Sequence, residues 1–162
     1  GIALVNVIEG GAQERGKRAG TENLPSIIGL ATALKDAQEH MQQNTAYITG
    51  LRDALRNGLD KIDGAGFNGS REHCLPGTVN YSFQGVNGET LLSLLSNEGI
   101  CCSSGSACSA GSLEPSHVLL ALGLSHETAQ SALRFSLCEY NTMDEVQTII
   151  TKVTEAVNRL RR

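Results

Sequence analysis

The strongest constraint on the fold is a long helical pattern of apolar residues that begins at Leu24. Apolar side chains recur at helical spacing, first at Ile27, Ile28, Ala31 and Leu34 and later at Ile48, Leu51, Leu55, Leu59 and Ile62. Asn23 is suited to cap this helix, and Pro25 to occupy its first turn. A continuous helix to about Asp63 would be about 60 Å long, more than the diameter of a small domain. The segment therefore either bridges two structural units or is broken within residues 42–45.

The segments on either side of this helix predict a mixed fold. Residues 2–8 are apolar and rich in β-branched side chains, which indicates a buried strand ended by two glycines. Further strands are predicted at 64–69, 78–85, 100–101 and 131–137, and further helices at 88–98, 115–122, after Ser125 and from Thr142 onward. This order predicts an α+β fold, a small sheet covered by helices, whose leading strand is a candidate member of a different sheet.

Composition excludes several classes of function. The 162 residues, 40% of them apolar, are enough for one domain with its own core. A net charge of -4 and 4% aromatic residues give neither the basic surface nor the stacking platform that nucleic-acid binding needs. No apolar run approaches the roughly 20 residues that span a bilayer and no signal peptide is visible, so we expect no membrane partner and a cytoplasmic setting. Because the chain opens at Gly1 without Met, we also expect a fragment.

Three of the five cysteines lie within eight residues, and the sequence distinguishes their roles. An odd cysteine count without a secretion signal favours reduced thiols over a disulfide framework. Cys74 and Cys138 adjoin apolar residues and are expected to be small packed side chains. Cys101 and Cys102 close an apolar strand, so at least one of them should point into the core. Cys108 lies between glycines, serines and alanines, so it is the candidate for a thiol on a mobile arm that collects and delivers sulfur.

Two other interpretations of Cys108 have to be weighed against a reactive thiol. The first is that it is simply a surface cysteine in a loop, and the second is that it is a zinc ligand. A structural zinc site is not indicated, because the cysteine spacing is adjacent and then six positions apart, and no second Cys/His pair follows.

Basic side chains form two further candidate sites. Arg15, Lys17, Arg18 and Thr21 lie in a glycine-punctuated loop that either receives a phosphate or carboxylate or is merely solvated. Arg134 falls on the less apolar face of its predicted strand, where it either pairs with a carboxylate at the edge of the core or binds the carboxylate of a substrate.

Three segments together resemble one enzyme family. The segments are GGAQERGKRAGTENLPSIIG at 10–29, SSGSACSAGSLEPSHVLLALGL at 103–124 and LRFSL at 133–137. In order and spacing they resemble the cysteine desulfurases, pyridoxal-phosphate enzymes that take sulfur from free L-cysteine, and most closely the nitrogen-fixation type. The resemblance extends over nearly the whole chain.

The resemblance implies a role for particular residues. Cys108 matches the nucleophile that accepts sulfur as a persulfide, and this persulfide is also the one candidate for a transient iron-sulfur contact. Arg134 matches the arginine that binds the substrate α-carboxylate. Thr21 matches the threonine that reaches the cofactor phosphate of the neighbouring subunit in a homodimer, and Arg18 is a secondary candidate near the site entrance.

The resemblance also implies a reaction. Pyridoxal phosphate acts as an electron sink and makes the sulfur of the substrate electrophilic. The Cys108 thiolate then takes that sulfur, L-alanine leaves, and the persulfide passes its sulfur to an iron-sulfur scaffold protein.

One departure from the family bears on the domain organisation. The family's cofactor lysine follows a histidine just upstream of the strand that here begins at Gly1, and Lys17, Lys35, Lys61 and Lys152 match no such position. The chain is therefore expected to be the C-terminal part of a fold-type-I enzyme. Residues 1–22 would end the large cofactor domain, and residues 23–162 would form the small domain together with the interdomain helix. Alone, such a piece is expected to be inactive.

Two alternatives to the enzyme remain at this point. The chain is either part of a desulfurase, a non-enzymatic carrier of sulfur or metal with the same thiol, or a dimerisation domain that has lost its function.

Overall fold

The computed structural model describes residues 5–104 and 115–162. The chain divides into two compact units, residues 1–41 and 42–162, and the division falls inside the long helix. The predicted boundary after residue 22 stays a prediction. Cys108 and the rest of the segment 105–114 lie outside the described residues.

The described elements alternate between helices and short strands. The helices are α1 (Gln13–Gly16), α2 (Leu24–Leu59), α3 (Gly88–Asn97), α4 (His117–Ala121), α5 (His126–Gln130) and α6 (Met143–Leu160). The strands are β1 (Ala65–Phe67), β2 (Thr78–Phe83), β3 (Ser103–Ser104) and β4 (Ala132–Ser136). The α+β prediction is confirmed.

In the first unit, the strand predicted at residues 2–8 is wrong for its described part. Residues 5–8 form no strand, and Val5 and Val7 are 90% and 95% exposed. A strand needs a neighbour to accept its backbone hydrogen bonds, and no described strand pairs with this segment. Its backbone instead meets the following loop, where the Ile8 carbonyl accepts a hydrogen bond from the Ala19 amide.

Helix α2 is continuous, so the alternative of a break within 42–45 is wrong. The predicted cap is confirmed, because Asn23 Oδ1 accepts a hydrogen bond from the Ser26 amide at 3.2 Å. The helix ends at Leu59, four residues before the predicted Asp63, and turn hydrogen bonds such as Ile62 N to Leu59 O follow it.

The second unit is built on a four-stranded antiparallel sheet of order β1-β2-β4-β3. The strand predicted at 100–101 instead forms at Ser103–Ser104, where it pairs with β4. Ile100 is buried in the core, and its amide donates a hydrogen bond to the Leu95 carbonyl at the end of α3. The strand therefore begins only after this helix-ending turn.

One face of the sheet carries the main core. The sheet contributes Val79, Tyr81, Phe83, Leu133 and Phe135, all at most 2% exposed. Leucines from the second half of α2 and from α3, together with valines of α6, pack on these residues. Helix α6 begins with the predicted capping box between Thr142 and Glu145, which is confirmed.

The other face of the sheet is polar and only partly covered. Helices α4 and α5 cover one end of it through a small cluster of Leu119, Ala129 and Ala132. Ser125 caps α5 as predicted by accepting a hydrogen bond from the Thr128 amide. Among the described helices, none is long and apolar enough to cross a membrane.

Candidate functional site

Arg134 lies in the middle of a polar row that crosses three strands. In the antiparallel register it faces Asn80 of β2 on one side and Ser103 of β3 on the other. Directly opposed residues project from the same face, with Cβ atoms about 4.5–5.5 Å apart. The Arg134 side chain is exposed and makes no hydrogen bond or ion pair with any other described residue. Such an uncommitted guanidinium can bind a carboxylate through two parallel hydrogen bonds.

The core determines the direction of Arg134. Its neighbours Leu133 and Phe135 are buried on the opposite face, at 0% and 2% exposure. Because side chains alternate along a strand, burying these two residues leaves Arg134 on the polar face. The prediction that Arg134 lies on the less apolar face is therefore confirmed, and the pairing with a carboxylate at the core edge is not observed among the described residues.

Asn80 is held in place by a neighbouring amide. The side chain of Asn68, just beyond β1, donates from Nδ2 to Asn80 Oδ1 at 2.7 Å and to Ser82 Oγ at 2.8 Å. The Asn68 backbone amide also donates to the Asn80 carbonyl at 2.9 Å. These bonds fix the Asn80 side chain beside Arg134.

Cys108 is connected to this row by the sequence. Strand β3 ends at Ser104, and Cys108 follows it by four residues. A chain of four residues spans at most about 14 Å. The placement of the Cys108 thiol itself lies outside the described residues.

The loop that contains Thr21 belongs to the first unit. Gln13 Oε1 accepts a hydrogen bond from the Gly20 amide, and Arg18 Nη1 donates to the Gly20 carbonyl at 3.3 Å. Gly20 has φ +97, a conformation that favours glycine, and Thr21 follows it with an exposed side chain. The Thr21 hydroxyl makes no hydrogen bond within the described chain. Thr21 and Arg18 are thus exposed donors on a loop held by its own hydrogen bonds.

The adjacent thiols Cys101 and Cys102 differ in environment. Cys101 is exposed, whereas Cys102 is half-buried and packs against the main core. Burial, and secondarily the neighbouring Cys101, raises the pKa of the Cys102 thiol to about 11. The prediction that at least one of the pair points into the core is confirmed by Cys102. A raised pKa lowers the thiolate fraction on which the reactivity of a cysteine depends.

The prediction that Cys138 packs as a small apolar residue is wrong. Cys138 is exposed, because β4 ends at Ser136 and the chain then turns, with the Cys138 amide donating to Asn141 Oδ1 at 2.9 Å. Cys74 is half-buried as expected, but its neighbours are charged. Its Sγ lies 3.5 Å from Nη1 of Arg52 and 3.9 Å from Nη1 of Arg56.

The lysines bear on where a cofactor can be held. Lys17, Lys35 and Lys61 are exposed. Lys152 forms ion pairs with Glu98 at 3.0 Å and Glu155 at 3.4 Å, and these carboxylates raise its pKa. An amine that attacks a carbonyl must be uncharged, and the ion pairs of Lys152 favour its charged form. Among the described residues there is also no cluster of three or more side chains suited to a metal ion.

The sequence reasoning missed the companions of Arg134. Asn80 shares strand parity with Thr78 and Ser82, so its position on the polar face was visible in the alternation of β2. Its place opposite Arg134 depends on pairing between strands 54 residues apart, and no local pattern indicates that register.

The chain is similar in sequence to known proteins. A family model described as Aminotransferase class-V matches residues 6–149. The chain is 45% identical to a cysteine desulfurase of Nostoc sp. over 162 residues, which cover 99% of this chain and 40% of that protein. It is 44% identical to "Cysteine desulfurase IscS" of Methanosarcina thermophila over 161 residues, again 99% of this chain and 40% of that protein.

A solved structure has the same fold. A protein named NifS-like protein superposes with a TM-score of 0.84 at 38% sequence identity, covering 98% of this chain and 40% of that chain. The chain thus spans about 40% of the length of the relatives that it matches.

Proposed function

Because this chain belongs to the class-V aminotransferase family, we propose that it supplies the sulfur-accepting and carboxylate-binding residues of a pyridoxal-phosphate-dependent cysteine desulfurase. The observation that carries the proposal is the uncommitted, exposed Arg134 on a strand whose edge neighbour, β3, leads in four residues to Cys108. Similarity to proteins named cysteine desulfurase supports the same reaction.

Arg134 binds the α-carboxylate of L-cysteine through its guanidinium fork. The Cys108 thiolate attacks the substrate sulfur, so an S–S bond forms as the substrate Cβ–S bond breaks. The electron pair of the broken bond stays with the substrate carbon, which is protonated and released as L-alanine. The persulfide on Cys108 can then be passed to an acceptor thiol.

The first unit fits the phosphate end of the cofactor. Its exposed donors are the Thr21 hydroxyl and the side chains of Arg15, Lys17 and Arg18, and such donors suit a phosphate. Thr21 would hold the phosphate, in the partner subunit of a homodimer. When bound, pyridoxal phosphate withdraws electrons from the substrate and makes its sulfur open to attack. By the resemblance, Lys17, Lys35, Lys61 and Lys152 match no anchor position, so the anchor lysine is expected outside this chain, and the chain alone is expected to be inactive.

Further parts of the proposal rest on the resemblance alone. They are the placement of the chain as the C-terminal part of the enzyme, the homodimer, the nitrogen-fixation type and delivery of sulfur to an iron-sulfur scaffold protein. The non-enzymatic carrier of sulfur or metal remains the alternative. A carrier would hold persulfide sulfur as isolated without any cofactor, which whole-protein mass spectrometry would detect.

The test uses the full-length protein that contains this chain. Cys108→Ser should abolish both alanine release from L-cysteine and the added sulfur atom detected on the protein by mass spectrometry. Cys138→Ser is the matched control, because this thiol is exposed in the same unit and the proposal gives it no role. It should leave both readouts unchanged.

Arg134→Ala should raise the KM for L-cysteine about 10- to 100-fold, the loss expected for hydrogen bonds between charged groups. Arg134→Lys should recover only part of the lost affinity for L-cysteine, because lysine cannot form the two parallel hydrogen bonds of a guanidinium. Persulfide formation on the Cys108→Ser protein at the normal rate would refute the proposal.

A further inference from the structure

The polar face beside Arg134 offers a second donor that the reaction as described does not use. Asn80 is directly opposite Arg134 in the register of β2 and β4, and both side chains project from the face away from the core. The side chains of opposed residues on one face lie within reach of a single small ligand. The inference that follows rests on the proposed function, because it takes Arg134 as the anchor of a carboxylate.

The orientation of the Asn80 amide is fixed by Asn68. The Asn68 Nδ2 atom donates to Asn80 Oδ1 at 2.7 Å, and it is itself held by donating to Ser82 Oγ at 2.8 Å. The oxygen end of Asn80 is therefore occupied. Its Nδ2 end, with two N–H donors, makes no hydrogen bond to another described residue.

The donors at this place match the acceptors of a carboxylate. A carboxylate has two oxygens with about four lone-pair directions, and a guanidinium fork uses one direction of each oxygen. Along the remaining lone-pair directions, the carboxylate oxygens can accept hydrogen bonds from neutral donors such as an amide N–H. No described carboxylate lies within ion-pair distance of Arg134, so its positive charge is not already neutralised.

We propose that Asn80 is a second donor to the substrate carboxylate bound by Arg134, with Asn68 as the positioning residue that turns the Asn80 N–H groups toward it. The ligand class is the carboxylate of an α-amino acid. The pair makes the site selective for a free carboxylate, because an uncharged amide at the same place would bring its own N–H donors against those of Asn80.

The experiment measures binding by calorimetry to the full-length Cys108→Ser protein, which cannot turn over. The probes are L-alanine and, as a control ligand without a carboxylate, L-alaninamide. Asn80→Ala should weaken L-alanine binding about tenfold, the value of one hydrogen bond to a charged acceptor. It should not weaken L-alaninamide binding, because it removes the N–H donors that oppose those of the amide. Thr78→Ala, on the same strand and face but opposite Ser136, should change neither affinity.

A second variant guards against misfolding. Asn80→Asp keeps the side-chain volume and the Oδ1 atom that accepts a hydrogen bond from Asn68. It replaces the Nδ2 donor with a second oxygen, so the new carboxylate can form an ion pair with Arg134. It should weaken L-alanine binding on the order of 100-fold, since it both removes a donor and neutralises the anchor. Asn68→Ala should lower L-alanine affinity by a smaller factor, on the order of threefold, because Asn80 keeps its donor but loses its orientation.

The outcomes separate this inference from the proposed function. If Arg134→Ala weakens L-alanine binding and Asn80→Ala does not, the second donor is refuted while the carboxylate anchor stands. If Asn80→Ala weakens both probes equally, its role is structural and the inference is also refuted. If Arg134→Ala has no effect on either probe, the proposed function itself fails.

Discussion

Tyr81 offers a quantitative test of the fold because its hydroxyl joins the core to a charged cluster. The ring is fully buried, and the hydroxyl donates to Asp60 Oδ1 at 2.7 Å and to the Arg56 carbonyl at 3.3 Å. Asp60 also receives two hydrogen bonds from Arg71, at 2.7 and 2.8 Å. Tyr81→Phe removes the hydroxyl and keeps the ring, so it tests this junction alone.

The expected loss follows from the environment of the acceptor. A hydrogen bond to a charged group contributes about 1.5–3 kcal/mol. The Asp60 side chain is 33% exposed and keeps its bonds to Arg71, so water can replace part of the lost interaction. We therefore expect Tyr81→Phe to lower the free energy of unfolding by about 1–2 kcal/mol at pH 7.

The difference in the free energy of unfolding between the unmutated protein and Tyr81→Phe should depend on pH, because the pKa of Tyr81 differs between the folded and the unfolded state. Burial, and then the hydrogen bond to Asp60, raises the pKa of Tyr81 above its ordinary value of 10.0. Above about pH 10 the folded protein therefore keeps the proton of the Tyr81 hydroxyl, whereas the unfolded chain loses it. Stability from this group is thus complete well below pH 10 and falls as the pH rises through 10, by roughly 1 kcal/mol at pH 11. The advantage of the unmutated protein over Tyr81→Phe should therefore shrink toward zero between pH 9 and pH 11.

The assay is urea unfolding of both proteins at pH 7, 9 and 11, followed by circular dichroism. Tyr140→Phe is the control, because Tyr140 is 84% exposed and should show a change below about 0.5 kcal/mol at pH 7. A difference between the unmutated protein and Tyr81→Phe that stayed constant or grew up to pH 11 would show that the Tyr81 hydroxyl is not held protonated in the fold.

Two further predictions concern the thiols and the glycines. At pH 8, iodoacetamide should label Cys101 on the order of 100-fold faster than Cys102, whose pKa is raised to about 11 by burial; equal rates by peptide mass spectrometry would contradict that burial. Gly77→Ala should lower stability by about 1–3 kcal/mol, because the new Cβ would lie 2.5 Å from the Leu137 carbonyl oxygen. Gly50→Ala, in helix α2 with open space around it, should instead raise stability by about 0.5–1 kcal/mol, and thermal unfolding distinguishes the two signs.

Patterns that depend on neighbouring residues predicted the structure well. The alternation of β2 and β4 places large apolar residues on one face, so both strands and the face of Arg134 could be predicted from the sequence. The caps at Asn23, Ser125 and Thr142 were equally predictable, because a side-chain oxygen three residues before a free amide is a local feature.

Features that depend on distant partners could not be predicted in the same way. Val5 and Val7 look like a buried strand, but strand formation requires a hydrogen-bonding neighbour that a local pattern does not reveal. Cys138 adjoins the buried Leu137, yet the turn that follows β4 carries it to the surface. The position of Asn80 opposite Arg134 likewise depends on a register between distant strands.

The core and the candidate site are consequently determined by the same register. A slip of β4 by one residue would move its side chains to the opposite face. It would expose Leu133 and Phe135, at a cost of about 1.5–3 kcal/mol each, and would direct the Arg134 charge into the main core of apolar side chains. The sum is comparable with the whole stability of a small domain. The apolar residues therefore also determine that Arg134 lies opposite Asn80 on the polar face, which is the arrangement that the proposed carboxylate site requires.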